Sequence, residues 1–303
     1  MYTHGLVCSQ NRVMMMMLLQ RGKKLAITIL VGFCLATTII DVCFNGLAAV
    51  GQTPFHNSSL EIATRIYPTK LTPIRWTPGI CGFIYVCLIV INLHLFACRF
   101  WRPAVYHLDD SGKNWPALSF FAIWPFVCLL DVIRLIVWDY HTLEGTAIGT
   151  TLIMVLLSGL LWLELVLISR ESHYNLDHFR IFVKNGVALY AGWCSYETAA
   201  HLTAAIQYEG KKAQAFDPEI AAILGLVFLT ISFVVFSALD FVYFKYTKQI
   251  FAVHVGILWG VLGILCSQTY TYPVIYSVFL GLGVLITLCV KAGLGISRSV
   301  ITQ

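Results

Sequence analysis

Charge is what this 303-residue chain has least of: Asp, Glu, Lys and Arg together make up 12% of it, about half the ~25% usual for a soluble domain. A solvated globular surface is thereby excluded. With 58% hydrophobic residues and a mean hydropathy of +0.78, the chain reads as a polytopic membrane protein. The ten cysteines show neither a CxxC pair nor a Cys/His ligand spacing, so no disulfide framework and no zinc site is expected. HExxH, GxSxG and clustered-histidine motifs are also missing, so neither an enzyme nor a cofactor or metal site is expected. No soluble domain, low-complexity tract or heptad repeat interrupts the apolar runs, and the two halves show no convincing similarity to one another. The net charge of +5 is no nucleic-acid signature, because the basic residues fall in short clusters between apolar stretches and read as topology signals.

Eight stretches are long and apolar enough to cross a bilayer: roughly 25–50, 74–98, 117–139, 146–169, 181–208, 219–244, 249–268 and 273–294. The seventh is the shortest, bounded by the turn-like Thr269-Tyr270-Thr271-Tyr272-Pro273. The run after Arg21, Lys23 and Lys24 is too long for the ~7–15 apolar residues of a cleavable signal, so residues 1–24 read as a cytoplasmic tail. Met14–Met17 suggest that translation begins downstream of Met1. With both termini inside, fourteen of the twenty Lys and Arg lie on the inner side and five in outer loops, with Arg134 inside a segment. The Asn57-Ser58-Ser59 sequon then falls in the first outer loop, where a glycan can be added. That loop, Gly51 to Pro73, holds Pro54, Pro68 and Pro73 with Trp76 just behind, and reads as a shaped cap. The membrane itself is open, plasma membrane or endomembrane.

The fifth stretch carries Glu197 and His201 near its middle, where ionisable groups are costly and mark a site. On a helix, Tyr190, Cys194, Glu197, His201 and Tyr208 fall on one stripe, and the other faces are rich in Ala, Gly, Ser and Thr. Small residues admit close neighbours, so this helix belongs inside the bundle. The other outer-half polar residues are Asp41 and Asn45, and Asp131 with Arg134 three residues on, a spacing that allows a same-face ion pair. Arg134 is then one cation facing three acids, Asp41, Asp131 and Glu197, while Glu197 and His201, one turn apart, can share a proton. In the inner half, which also holds Asn92 and His94, Glu164, Asp240 and His254 lie near helix ends, within reach of headgroups or water, and read as structural. Leu239 to Lys245 fits the loose L-x-Y-x-K sterol pattern, which an aromatic belt with a basic flank also produces.

Two stretches resemble a known family. Ile74-Arg75-Trp76-Thr77-Pro78-Gly79-Ile80-Cys81-Gly82-Phe83-Ile84-Tyr85 is similar to the segment opening the second helix of tryptophan-rich sensory proteins, the translocator or peripheral-type benzodiazepine receptor family. Leu189-Tyr190-Ala191-Gly192-Trp193 through His201-Leu202 resembles its fifth helix, and Asn114-Trp115 its N-x-x-W region. The resemblance covers residues 25–208 and is closest to the longer animal and plant relatives. It implies an all-α membrane bundle of about eight helices: a five-helix translocator-like module over 25–208, then three further helices and a short tail over 209–303. Cys81 and Cys87 stand where the family has tryptophans, Asn185-Gly186 replaces a proline region, His201 lies near an asparagine position, and Glu197 falls where a small or neutral residue is usual.

The leading functional expectation is a receptor or carrier for a tetrapyrrole-, sterol- or lipid-like ligand. Trp76, Tyr85, Tyr190 and Trp193 would form aromatic walls, and Glu197 and His201 polar anchors. Two alternatives stay open: a proton-coupled transporter relaying through Asp41, Asp131, Arg134, Glu197 and His201, and a purely structural membrane protein. A retinal-type receptor is excluded by the segment count and by the lack of a mid-membrane lysine, Lys291 lying near an inner end. The expected partners are the lipid bilayer, a hydrophobic small molecule and, for a homodimer, a second copy of the chain.

Overall fold

The computed structural model describes residues 3–72, 74–101, 118–141, 145–171, 178–208, 216–267 and 271–301. Pro73, Arg102, Lys113, Asn114-Trp115, Lys211, Lys212, Thr269 and Tyr270 lie outside them, as do the side chains of residues 3–21, 23 and 24. Eight long helices carry the described chain: α1 (Thr3–Val50), α2 (Gly79–Trp101), α3 (Leu118–Asp139), α4 (Thr146–Glu171), α5 (His178–Tyr208), α6 (Pro218–Val242), α7 (Ala252–Ser267) and α8 (Tyr272–Ile301). The stretch expected as an N-terminal tail is helical from Thr3 and runs unbroken into the first apolar segment.

Six of these helices hold spans long and apolar enough to cross a membrane: Leu25–Val50, Gly79–Ala97, Phe120–Asp139, Thr146–Arg170, Pro218–Val242 and Tyr272–Leu294. Ala252–Cys266 is apolar but shorter, and α5 is too polar to qualify. The expected count of eight is therefore met for six by length and composition. The reason for the polar exception is its position. α5 packs against α2, α4, α6 and α7, and every residue from Gly186 to Tyr196 is buried. A helix walled off by others need not be apolar, because its neighbours present the lipid-facing surface.

Close approach is the second property that its sequence sets. A Cβ on Gly192 would fall onto the Val253 carbonyl, and one on Gly256 would lie 2.7 Å from the Leu189 oxygen, so α5 and α7 cross backbone to backbone. Asn185 fixes the other end of that contact. Its Oδ1 accepts from the backbone N–H groups of Phe251 (3.0 Å) and Ala252 (3.2 Å), and its Nδ2 donates to the Gln249 carbonyl (2.8 Å). A side chain of α5 thus satisfies orphan donors at the start of α7. The residue that departs from the family pattern here is a helix cap supplied in trans.

α6 starts with its own cap, the Asp217 carboxylate accepting from Glu219 N–H at 2.7 Å with Pro218 in the first turn. Its far end is joined to α8 by a fully buried ion pair, Lys291 Nζ to Asp240 Oδ1 and Oδ2 at 2.8 and 2.6 Å, and Lys291 also donates to the Ile250 carbonyl. One expectation is corrected here: Asp240 does not reach water or headgroups but is buried against Lys291. Glu164 and His254 are also fully buried, and neither Glu164 oxygen nor either His254 ring nitrogen has a hydrogen-bond partner. Glu164 is enclosed because it shares the inward face of α4 with Leu157, Leu161, Leu165 and Ile168.

A candidate ligand cavity beneath the first outer loop

The first long loop folds back over the bundle. Gly51 (φ 66°) turns the chain out of α1, where a side chain would meet the Ser58 backbone. Ser58 caps a short helix, Ser59–Glu61, which continues as a π-helical turn, Ile62–Ile66. Asp139, the last residue of α3, accepts from His56 N (3.0 Å), Asn57 N (3.2 Å) and His56 Nδ1 (2.7 Å). Tyr67 donates to the His141 carbonyl at 3.1 Å and lies 5.1 Å, ring to ring, from Trp138. On the α5 side, Tyr208 donates to the Pro68 carbonyl (2.5 Å) and Tyr196 to the Leu71 carbonyl (2.9 Å). The loop is a roof fastened along two walls, as its prolines suggest.

Below it lies a cavity of about 630 Å³ between α1, α2, α3 and α5. That is the size of a small-molecule site, roughly 300–1,000 Å³. The structure brings Tyr85, Asp131, Arg134, Tyr190, Trp193, Glu197 and His201 to its wall. Trp76 is not among them. It is 43% exposed and packs edge-on against Trp259 of α7, 5.0 Å between rings. It precedes α2 in a turn held by the Trp259 indole donating to the Thr77 carbonyl (2.9 Å), and that turn aims Arg75, not Trp76, at the cavity.

The Asp131–Arg134 pair forms as the spacing suggested, with Arg134 Nε donating to Asp131 Oδ1 at 2.6 Å. The other oxygen, Oδ2, accepts from Asn45 Nδ2 (3.0 Å), Tyr85 OH (3.2 Å) and Tyr190 OH (3.0 Å). Asn45 links the two acids, because its Nδ2 also lies 2.9 Å from Asp41 Oδ1. Asp41 itself is buried behind this network and does not line the cavity. Four helices thus hold one carboxylate, and Asp131 with Arg134 forms a locally neutral, hydrogen-bonded unit.

Glu197 and His201 are the opposite case. They make no hydrogen bond to each other, and Glu197 takes part in no ion pair among the described residues. The Trp193 indole lies toward Glu197 but outside hydrogen-bonding geometry. The His201 ring packs edge-on against Trp138 at 4.5 Å, and its buried Nδ1 has no partner. Of the rest of the stripe, Cys194 is buried in the core and Tyr208 serves the roof. Sequence reasoning missed Trp138, Tyr196, Tyr67 and Arg75. Trp138 had a signal: it stands four residues after Arg134 and seven after Asp131, on the same helical face.

Fold and cavity together define a polytopic helical membrane protein with a roofed internal chamber. A family model described as TSPO-like protein matches residues 28–291, most of the chain, and the chain belongs to that family. The resemblance read from the Trp76-x-Pro78 turn and from α5 is thereby confirmed at the level of the family, and the match runs on through α6, α7 and most of α8. No curated protein and no solved structure matches the chain.

Proposed function

We propose that this protein is a receptor or carrier for an amphipathic small molecule held in the chamber between α1, α2, α3 and α5. The observation that carries the reading is the pairing of an aromatic-walled cavity of about 630 Å³ with Glu197, which lines it, and with His201 Nδ1, a buried ring nitrogen that has no hydrogen-bond partner among the described residues. Buried polar groups are ordinarily satisfied. Tetrapyrrole-, sterol- or lipid-like molecules have the flat or elongated apolar body and polar edge that such walls suit. In this reading all eight long helices cross the bilayer with both termini inside, residues 25–208 form the binding module, and Asn57 carries a glycan on the roof. The positive-inside bias supports that orientation.

Titrating the purified protein with protoporphyrin or retinol should quench Trp138 and Trp193 emission saturably, and Glu197→Gln should weaken binding about tenfold, the worth of one charged hydrogen bond. Emission that changes only linearly with ligand sinks the proposal.

One observation favours a second reading, a proton-coupled transporter. The hydrogen-bonded chain Asp41–Asn45–Asp131–Tyr190 ends at the chamber wall, where Glu197 faces the same space. Intramembrane acids of this kind serve as proton relays. In liposomes, a pH gradient should then drive uptake that Glu197→Gln abolishes. Uptake unchanged in that variant removes the relay.

A further inference from the structure

The chamber has one wall unlike the others. Toward α3 and α5 it is closed by the buried Leu135, Tyr190, Trp193 and Tyr196. Toward α1 and α2, where Ile84 is buried and Val42, Asn45 and Tyr85 are half-buried, part of its lining is exposed: Gly46 and Ala49 on α1 and Gly79, Gly82 and Val86 on α2, with Val86 58% exposed. On each helix these residues recur at three- and four-residue spacing, so each set forms a single edge. The glycines do not serve helix contact here. A Cβ on Gly46, Gly79 or Gly82 would meet nothing within 4 Å, whereas one on Gly192 or Gly256 would strike backbone. They border a gap.

We infer that this gap is a lateral portal through which the chamber exchanges its ligand with the bilayer, an inference that rests on the ligand-cavity reading above. Both edges belong to apolar spans, Leu25–Val50 and Gly79–Ala97, so the gap faces hydrocarbon over about 10 Å of helix from Gly79 to Val86. Across the alternative route, from water through the roof, the loop is fastened at Asp139 and Tyr208. Arg75, exposed and lining the chamber in the turn before Gly79, stands at the outer end of this edge. The occupant is therefore an amphiphile that dissolves in the membrane, with a fused-ring or single-chain body that fits the chamber. A hydroxyl head suits the interior, since it can donate to the Glu197 carboxylate and accept from a His201 ring N–H.

The test uses proteoliposomes loaded with dehydroergosterol or retinol, two hydroxyl-headed probes that accept energy from tryptophan. After mixing with excess empty vesicles, the decay of energy transfer reports the release rate. Gly82→Phe on α2 and, independently, Gly46→Phe on α1 place a ring in the gap at positions where the Cβ meets nothing within 4 Å. Each should slow release about tenfold and slow uptake as well, because a blocked path raises the barrier in both directions. Asp139→Asn, which loosens the roof, should leave release near the wild-type rate. If both Phe variants elute as folded protein and release at the wild-type rate, or if Asp139→Asn alone speeds release about tenfold, the portal is overturned and the roof is the route. If the wild type shows no saturable energy transfer with either probe, the ligand reading itself falls, and the portal with it.

Discussion

Replacing Asp131 by Asn should destabilise the protein by about 3–5 kcal/mol, the cost of stranding one member of a buried ion pair. The substitution preserves shape and an acceptor oxygen, so it isolates the loss of charge. Arg134 would keep only neutral acceptors, the retained amide oxygen and Asn45 Oδ1, 3.5 Å from its Nη2. The reciprocal change, Arg134→Met, should cost less. Asp131 would still accept from Asn45, Tyr85 and Tyr190, three neutral donors already in place on α1, α2 and α5. Charged-group hydrogen bonds of that kind contribute about 1.5–3 kcal/mol each. The asymmetry is the diagnostic part, because a pair that served only to neutralise itself would respond equally from both sides. The double variant Asp131→Asn/Arg134→Met should recover part of the loss, since it leaves no unpaired charge. Thermal midpoints in detergent, followed by tryptophan emission, measure all three. Equal losses from the two single variants would show that the surrounding donors do not hold Asp131.

How much of this was legible in the sequence depends on the kind of signal. Helix positions were readable because bilayer thickness fixes the length of an apolar run. Leu25–Val50 and the ends of α3 and α5 fall at the expected residues, and α2 starts later than expected because Ile74 to Pro78 form a turn instead of a first helical turn. That turn also misled the reading of the site. Trp76 belongs to the motif that resembles the family, yet which way a turn residue points is set by its tertiary contact, here Trp259, nearly two hundred residues away. The Glu197–His201 stripe was visible because charge is conspicuous in an apolar helix. Its partners were not, because Trp138 and Tyr196 look like ordinary membrane aromatics until four helices are brought together. The burial of Glu164, Asp240 and His254 was misjudged for the same reason: nearness to a helix end says nothing about which face is covered.

The second large effect concerns α7. Gly256→Leu should abolish the α5–α7 contact and with it the folded chamber, although Gly256 does not itself line the cavity. The atoms that a Cβ would meet are the Leu189 oxygen at 2.7 Å and the Trp193 nitrogen at 2.8 Å, both backbone, so no rotamer change can make room. Overpacking in a core costs about 1–3 kcal/mol when side chains can shift, and more when they cannot. Here the helices themselves must separate, pulling Asn185 off the start of α7 and moving Tyr190 and Trp193 out of the chamber wall. Gly260 and Gly263 lie on the same edge of α7, against the Tyr196 ring and the Thr77 side chain. α7 therefore meets both α5 and the turn before α2 through glycine, and this explains how so short a helix can be central. Gly281→Ala on α8 is the control, because its Cβ would meet only the Val261 and Leu258 side chains at 3.4 and 3.9 Å. That change should be neutral or stabilising by up to about 1 kcal/mol through helix propensity. Size-exclusion profiles and thermal midpoints of the two variants decide the matter: a monodisperse Gly256→Leu protein with a near-native midpoint would mean that α5 and α7 do not cross at this glycine.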